Sequence, residues 1–393
     1  MEAGGAVLGL DRTPSADLKL RVTHPEMGRI AALFADRGLA RALGPLDLYG
    51  ELTGNATSPV LNNLQGMVAG VPVRGRLVLD RKPARPALQA DLQTGDLDLD
   101  RLRNAPLVGD GAGRNAGAPA GDPAAVPPAD PLADLGWMQA ADGRLALTAT
   151  SLTLGGQRIA QPALRATLSG GTAILEQLDG EWQGGQIGVS GRLATVPGQE
   201  PKLDADITVI KADLGTALSG FAGLGFNGGT MDLDMTVSGS GNGDALARSL
   251  TGRGRAVASG GVLRGVDLAA LRNRLAGVER TQEVLGAVAG ALQGGETKLD
   301  RLDARFAIEN GVIRADDARL TTTPADGTLA GTVSLPDERV DLGLTLKVKA
   351  DGDLPPLTLR IAGPWDAPTQ TLDLKALRDR FNAASPAGPA VRP

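Results

Sequence analysis

The chain has a single histidine, His24, and no cysteine. A catalytic imidazole needs a nucleophile and an orienting carboxylate within reach. His24 precedes Pro25 at a strand-to-helix junction and reads as a surface or capping residue. Metal sites built from several His or Cys side chains are excluded by count. Asp96, Asp98 and Asp100 form D-x-D-x-D, the opening of a calcium loop. Such a loop needs Gly next and Glu farther on, whereas this chain has Arg101 next and Val108 near the glutamate position. Alternation with Leu97 and Leu99 makes these aspartates the wet face of a strand, and Asp232 and Asp234 read the same way. Gly223-Leu224-Gly225-Phe226-Asn227-Gly228 matches the dinucleotide fingerprint letter for letter. That fingerprint must leave a strand and open a helix; here it leaves a short helix and leads into a strand, so it reads as a turn. Glu26, Glu176, Glu181 and Glu200 stand in dissimilar contexts, and few aromatic residues are available to stack a sugar between paired carboxylates. No G-x-S-x-G elbow and no P-loop is present. The residue types for catalysis are sparse, and the expectation is a protein that is not an enzyme and has no cofactor.

The elements that would position any site repeat one pattern. Gly75-Arg76-Leu77, Gly191-Arg192-Leu193 and Gly331-Thr332-Val333 each open a strand-like run. An alternating run follows 11 to 13 residues later: Leu88-x-Ala90-x-Leu92, Leu203-x-Ala205-x-Ile207-x-Val209 and Leu342-x-Leu344-x-Leu346-x-Val348. In the second and third copies Gly171 or Gly311 lies 20 residues upstream of the opening glycine. A period of two sustained along the chain means stacked β-hairpins with one apolar face. Met231–Val237 and Leu357–Ile361 alternate as well. The predicted fold is mainly β with a few helices (α+β): repetitive antiparallel strands forming an elongated curled sheet or groove.

Between the strands, Pro25–Leu43 predicts a helix with proline near its first turn. Asp213–Phe221 predicts a short helix capped by Asp213, and Asp244–Thr251 one or two helical turns. The clearest helix, Asp267–Leu292, puts Leu268, Leu271, Leu275 and Val278 on one face; Leu374–Phe381 reads as a closing helix. Asn104–Pro131 breaks the pattern: 19 of its 28 residues are Ala, Pro or Gly, which predicts a disordered linker. The expected organisation is a β-repeat region over 1–103, the linker over 104–131, a β-rich domain over 132–381 and a disordered tail over 382–393.

Composition narrows function. Hydrophobic residues make up 42% of the 393, enough to bury a large apolar surface, while the net charge of −5 argues against general phosphate-backbone affinity. Only nine aromatic residues are present (Trp 3, Tyr 1, Phe 5), too few for base-stacking platforms or for the aromatic girdles of an outer-membrane barrel. Glycine, at 55 residues, is about twice as frequent as usual and falls at strand starts and turns. No segment reads as a transmembrane helix; the longest uncharged stretch, Leu214–Met231, contains six glycines. Met1–Leu20 lacks the pattern of a signal peptide. Leu18-Lys-Leu20-Arg-Val22 reads as the last strand of a unit whose earlier strands are missing, which points to N-terminal truncation.

The second half resembles the C-terminal region of the AsmA family of bacterial envelope proteins. The residues that carry the likeness run in order. Gly239-Ser-Gly241 precedes Ser249-Leu250-x-Gly252-x-Gly254, and Gly260-Gly261-Val262-Leu263-x-Gly265-Val266-Asp267-Leu268 enters the predicted long helix. Thr297 comes next, then Leu302-x-Ala304-x-Phe306-x-Ile308-x-Asn310-Gly311-Val312, then Gly331–Leu335 and Val340–Val348. Leu357-x-Leu359-x-Ile361-x-Gly363-Pro364-Trp365-x-x-Pro368 completes the set. Residues 17–210 are similar to the family's degenerate strand repeats. The resemblance implies a periplasmic protein anchored in the inner membrane, with an apolar β-groove that carries phospholipid or another acyl lipid between inner and outer membranes. Inner- or outer-membrane components would be its partners, and nucleic acid would not. It brings no catalytic residues. Its alternative is a non-catalytic scaffold or regulator of outer-membrane protein assembly. Candidate groove-lining residues are Leu203, Ile207 and Val209; Leu233, Met235 and Val237; Leu342, Leu344 and Leu346; and Leu357, Leu359 and Ile361. An open trough lined by them would favour the carrier, a filled sandwich the scaffold.

Overall fold

The computed structural model describes residues 2–8, 15–26, 44–103, 135–219, 225–275, 286, 290, 294–349 and 356–373. They are mainly β. The chain divides into two compact units, Met1–Trp182 with Ile187–Ala205 and Ser240–Gly243, and Gln183–Gln186 with Asp206–Gly239 and Asp244–Pro393.

The strands of the first unit are β1 (Glu2–Leu8), β2 (Ser15–His24), β3 (Leu46–Asn55), β4 (Ser58–Val68), β5 (Val71–Asp80), β6 (Ala87–Asp98), β7 (Asp142–Leu154), β8 (Gln157–Ser169), β9 (Thr172–Trp182) and most of β10 (Gly185–Ala194). A short helix, α1 (Leu99–Arg103), follows β6. Neighbours in sequence pair antiparallel with one exception. β6 and β7 pair parallel along eleven positions, from Ala87↔Asp142 to Asp98↔Thr153. Parallel neighbours need a crossover of a dozen or more residues, and the segment containing Asn104–Pro131 supplies it. The expectation of antiparallel strands is therefore corrected to a mixed sheet at this point, and the strands on either side of that segment are partners within one unit. β1 is a further addition. It pairs with β2 from Glu2↔Arg21 to Leu8↔Ser15, and its Glu-Ala-Gly-Gly-Ala-Val-Leu sequence has no alternation that would have announced a strand.

The apolar face of this unit is built row by row. Leu18, Leu52, Leu61, Leu77, Ala90, Leu145, Ala166 and Leu175 are successive cross-strand partners. Beside them run Leu64, Gly75, Leu92, Leu147, Leu164 and Leu178. Bulges between Leu61 and Leu64 and between Arg165 and Ala166 keep these rows on one face despite an odd residue count. Tight turns set the register. Ala69-Gly70, Gly155-Gly156, Gly170-Gly171 and Gln183-Gly184 each hold two residues at positive φ, the hairpin geometry that matches strand twist. Asn310-Gly311 does the same farther along the chain.

The second unit contains most of β11 (Lys202–Asp213), β12 (Gly225–Asn227), β13 (Thr230–Ser240), β14 (Thr251–Ser259), β15 (Val262–Arg264), β16 (Glu296–Lys298), β17 (Arg301–Glu309), β18 (Val312–Thr321), β19 (Ala325–Ser334), β20 (Arg339–Val348), β21 (Leu357–Pro364) and β22 (Thr369–Asp373). β13, β14 and β17 to β22 pair antiparallel in that order. β12, β15 and β16 form a separate three-stranded sheet. The helices are α2 (Leu214–Ala217), α3 (Gly243–Ser249) and α4 (Leu268–Leu275). As the sequence predicts, Asp213 caps α2, its carboxylate accepting from the Thr216 amide at 2.7 Å.

Of the predicted long helix over Asp267–Leu292, α4 is the described part; most of its remainder lies outside the described residues. The predicted helix over Pro25–Leu43, the linker over 104–131, the closing helix at Leu374–Phe381 and the tail over 382–393 also lie wholly or almost wholly outside them. Among the described residues, no helix is long and apolar enough to cross a membrane.

The recurrent glycines that open the three sequence repeats share one physical role. A Cβ on Gly75 would sit 2.0 Å from the Asp91 carbonyl oxygen, one on Gly191 2.6 Å from that of Asp204, and one on Gly331 2.2 Å from that of Asp341. Each glycine lets the backbone of the alternating strand approach closely.

Candidate functional site

The alternation of β20 and β21 sends every second side chain to one face. Their register pairs Leu342 with Ile361, Leu344 with Leu359 and Leu346 with Leu357. β19 adds Leu329 opposite Leu344, and β22 adds Leu372 opposite Leu359. The result is a leucine-rich floor in which Leu342, Leu346, Leu357, Leu359 and Ile361 are buried. The roof comes from the small sheet and α4, through Phe226, Leu263, Leu268 and Leu271. Leu302 and Leu320, partners across β17 and β18, close one side. Between floor and roof lies a cavity of about 310 Å³.

The few polar groups in its wall are turned to other work. The Thr297 hydroxyl donates to the Val266 carbonyl at 2.6 Å and accepts from the Leu268 amide at 3.0 Å. The Thr322 hydroxyl donates to the Ala325 carbonyl and accepts from its amide, at 2.7 and 3.0 Å. With those hydroxyls satisfied, the cavity presents hydrocarbon, apart from Gln370 and Arg264 in its lining.

Six of the twelve residues chosen from the sequence meet here: Leu342, Leu344, Leu346, Leu357, Leu359 and Ile361. Leu233, Met235 and Val237 do not line the cavity. They lie on β13, opposite Ala256, Gly254 and Gly252, on the same face of the same sheet and half-buried. Leu203 belongs to the first unit, whereas Ile207 and Val209 belong to the second; Val209 is buried and the other two half-buried. Sequence reasoning missed Phe226, Leu263, Leu302, Leu320, Leu329 and Leu372 as liners. Leu302 was legible as an alternating position. Leu320 was hidden by a register shift between Ala315 and Ala318. The spacing puts Leu268 and Leu271 on one helical face and does not say what that face covers.

The opposite, polar face is organised by arginine–aspartate forks. Arg21 donates through Nε and Nη2 to Asp47, Arg255 to Asp303 and Arg360 to Asp341, at 2.6 to 3.1 Å. Hydrogen bonds from the facing guanidinium hold all three carboxylates below their ordinary range; Asp303, which Arg301 also contacts, is shifted furthest. These groups are exposed and structural. A wider depression of about 990 Å³ on the first unit's polar side is lined by Arg74, Arg76, Asp91 and Arg165 among others, mixing both signs of charge.

The other chemistry-bearing residues have local roles. Asp96 accepts from the Ser151 hydroxyl at 2.6 Å, Asp98 from the Arg101 amide at 2.8 Å, and Asp100 from the Gly155 and Gly156 amides at 2.9 and 2.8 Å. Asp100 stands in α1, so the wet-strand reading holds for Asp96 and Asp98 and not for it. His24 Nδ1 accepts from the Glu26 amide at 3.0 Å, a local turn contact. Gly225–Asn227 of the G-x-G-x-x-G match form β12, which leads through Gly228-Gly229 into β13. Among the described residues, no group of three or more His, Cys, Asp or Glu could hold a metal ion.

The chain matches the model of the AsmA family over residues 42–318, more than half its length. The match covers the first two of the three strand repeats and reaches into β18; the third repeat and β19 to β22 lie beyond it. No curated protein and no solved structure matches the chain.

Proposed function

The chain belongs to the AsmA family, and from that premise we propose that it serves envelope biogenesis by carrying or shielding acyl lipid, phospholipid above all, on its apolar β-surface. The observation that carries this reading is the cavity between the leucine floor and the small sheet, with six of the predicted lining residues around it. Its volume lies at the low end of the ~300–1,000 Å³ range of small-molecule sites, a size for one acyl chain rather than a whole two-chain lipid. Each methylene moved from water into such a space contributes about 0.8 kcal/mol. The first unit supports the reading in a second way: Leu52, Leu61, Leu77, Leu92, Leu145 and Leu147 of its leucine rows are half-buried, although Leu64 and Leu178 are buried.

On this reading the protein works in the periplasm beside the inner membrane and exchanges lipid with membrane components there. The alternative, a scaffold for outer-membrane protein assembly, predicts filled cores, and the space under the small sheet argues against it. Solvent extraction and mass spectrometry of the purified chain test the proposal. Copurified phospholipid, or saturable uptake of a fluorescent phospholipid, is expected; a lipid-free protein that takes up none would refute it.

A further inference from the structure

The small sheet over the cavity is joined to the main sheet of its unit along one line. β13, β14 and β17 end in a row, with Thr230 opposite Ser259 and Ser259 opposite Arg301. β12, β15 and β16 end in a matching row, with Asn227 opposite Val262 and Val262 opposite Lys298. Every crossing between the two rows has the same length: Gly228-Gly229, Gly260-Gly261 and Leu299-Asp300. Four of these six residues are glycines at positive φ, +61°, +84°, +69° and +83° in order. The two glycine pairs lie against each other. A Cβ on Gly229 would fall 2.8 Å from the Gly260 carbonyl oxygen, and one on Gly261 2.7 Å from that of Gly228. The third crossing is tied to the second by Leu299 N–H to Gly261 O at 3.0 Å and Gly260 N–H to Asp300 O at 3.4 Å.

Beyond this crease the cover holds together on its own. Its three strands pair with one another. Thr297 bridges β16 to the start of α4, Gly265 N–H bonds Gly295 O at 3.0 Å, and Asp267 caps α4 through the Ala270 amide at 2.7 Å. Beyond the crease it touches the floor, apolar side chain on apolar side chain across the cavity, and α2 beside the crease, where Phe226 packs against the Leu214 cluster and Leu214 N–H bonds Gly229 O at 3.1 Å. A self-contained plate joined along a straight line of permissive residues has one soft motion, rotation about that line.

We propose that the crease is a hinge and that β12, β15, β16 and α4 swing as one lid, opening the cavity to an acyl chain and closing over it. The inference rests on the cavity's being an acyl site. The glycines make the closed geometry possible, because a side chain at Gly229 or Gly261 would clash with the facing crossing in the closed setting and push the lid out of it.

The absence of cysteine from the chain supplies a direct test. Leu359→Cys puts a single thiol in the floor, and Ile159→Cys puts one at a comparably buried place outside the cavity, at 8% and 9% exposure. Maleimide labelling of the full chain is expected to be at least tenfold faster at the first than at the second, because lid opening exposes only the floor. Adding Gly229→Ala, whose Cβ strains the closed crease, is expected to speed labelling of Leu359→Cys about tenfold, and palmitate is expected to protect that thiol. Equal rates at the two thiols would overturn the hinge even if Gly229→Ala fails to fold. An unchanged rate in a folded Gly229→Ala background would overturn it too. Fast, glycine-dependent labelling that palmitate leaves untouched would keep the hinge and overturn the acyl reading of the cavity.

Discussion

The two units carry the same kind of sheet and treat its apolar face differently. In the first, leucine rows such as Leu52–Leu61–Leu77 are half-buried. In the second, the row formed by Leu342, Leu344 and Leu346 with its β21 partners is roofed by three short strands and a helix, and most of its members are buried. Alternation alone makes an apolar face. What the face does depends on whether the chain folds a further layer onto it.

The sharpest way to break this comparison is to delete leucine from each face. Leu359→Ala in the roofed floor is expected to cost about 2–5 kcal/mol, the range for buried leucine. Leu77→Ala, half-exposed, is expected to cost about 1–2 kcal/mol, in proportion to the area it removes from water. Urea unfolding of both variants checks this, and a reversed order would mean that the first unit's face is covered after all. An effect smaller than that of Leu359→Ala should be common to both units. Gly75→Ala and Gly331→Ala each press a Cβ onto a neighbouring carbonyl at positive φ, and each is expected to cost about 1–3 kcal/mol. A large difference between them would show that the close strand approach matters in only one unit.

The smallest effect concerns the polar faces. Arg255→Ala should leave the thermal midpoint unchanged within error, because the pair is exposed. It should, however, move the Asp303 carboxyl back up toward its ordinary value of 3.8 in a carbon-detected NMR titration. Because the folded value is depressed, whatever stability the fork contributes is present above pH 3.8 and is lost as the pH falls from there toward the folded value. An Asp303 titration that is normal in the unsubstituted chain would remove the fork from the account.

Much of this was legible in the sequence, and the limits have physical causes. A period of two identifies strands and their apolar sides, so Leu342–Leu346 and Leu357–Ile361 were found directly. It is blind to pairing direction: β6 and β7 alternate like their neighbours, and only register shows that they run parallel. It also fails at bulges, where Leu64 and Leu178 leave the count of two yet stay on the apolar face. Leu233, Met235 and Val237 follow the rule as well as Leu342 does, and they miss the cavity because the roof stops short of them. The crease was written as Gly228-Gly229 and Gly260-Gly261. Glycine pairs in this chain also make ordinary hairpins at Gly155-Gly156 and Gly170-Gly171, so composition could not single out the two pairs that join different sheets.

The most direct test of the lipid reading is photo-crosslinking in cells that make the full chain. A benzophenone side chain would be placed at Leu344 in the roofed floor, at Leu77 on the half-buried face and at Arg360 on the polar face. Phospholipid adducts at Leu344 and Leu77, with none at Arg360, are expected. Adducts absent from Leu344, or equally abundant at Arg360, would contradict the claim that the apolar faces hold lipid.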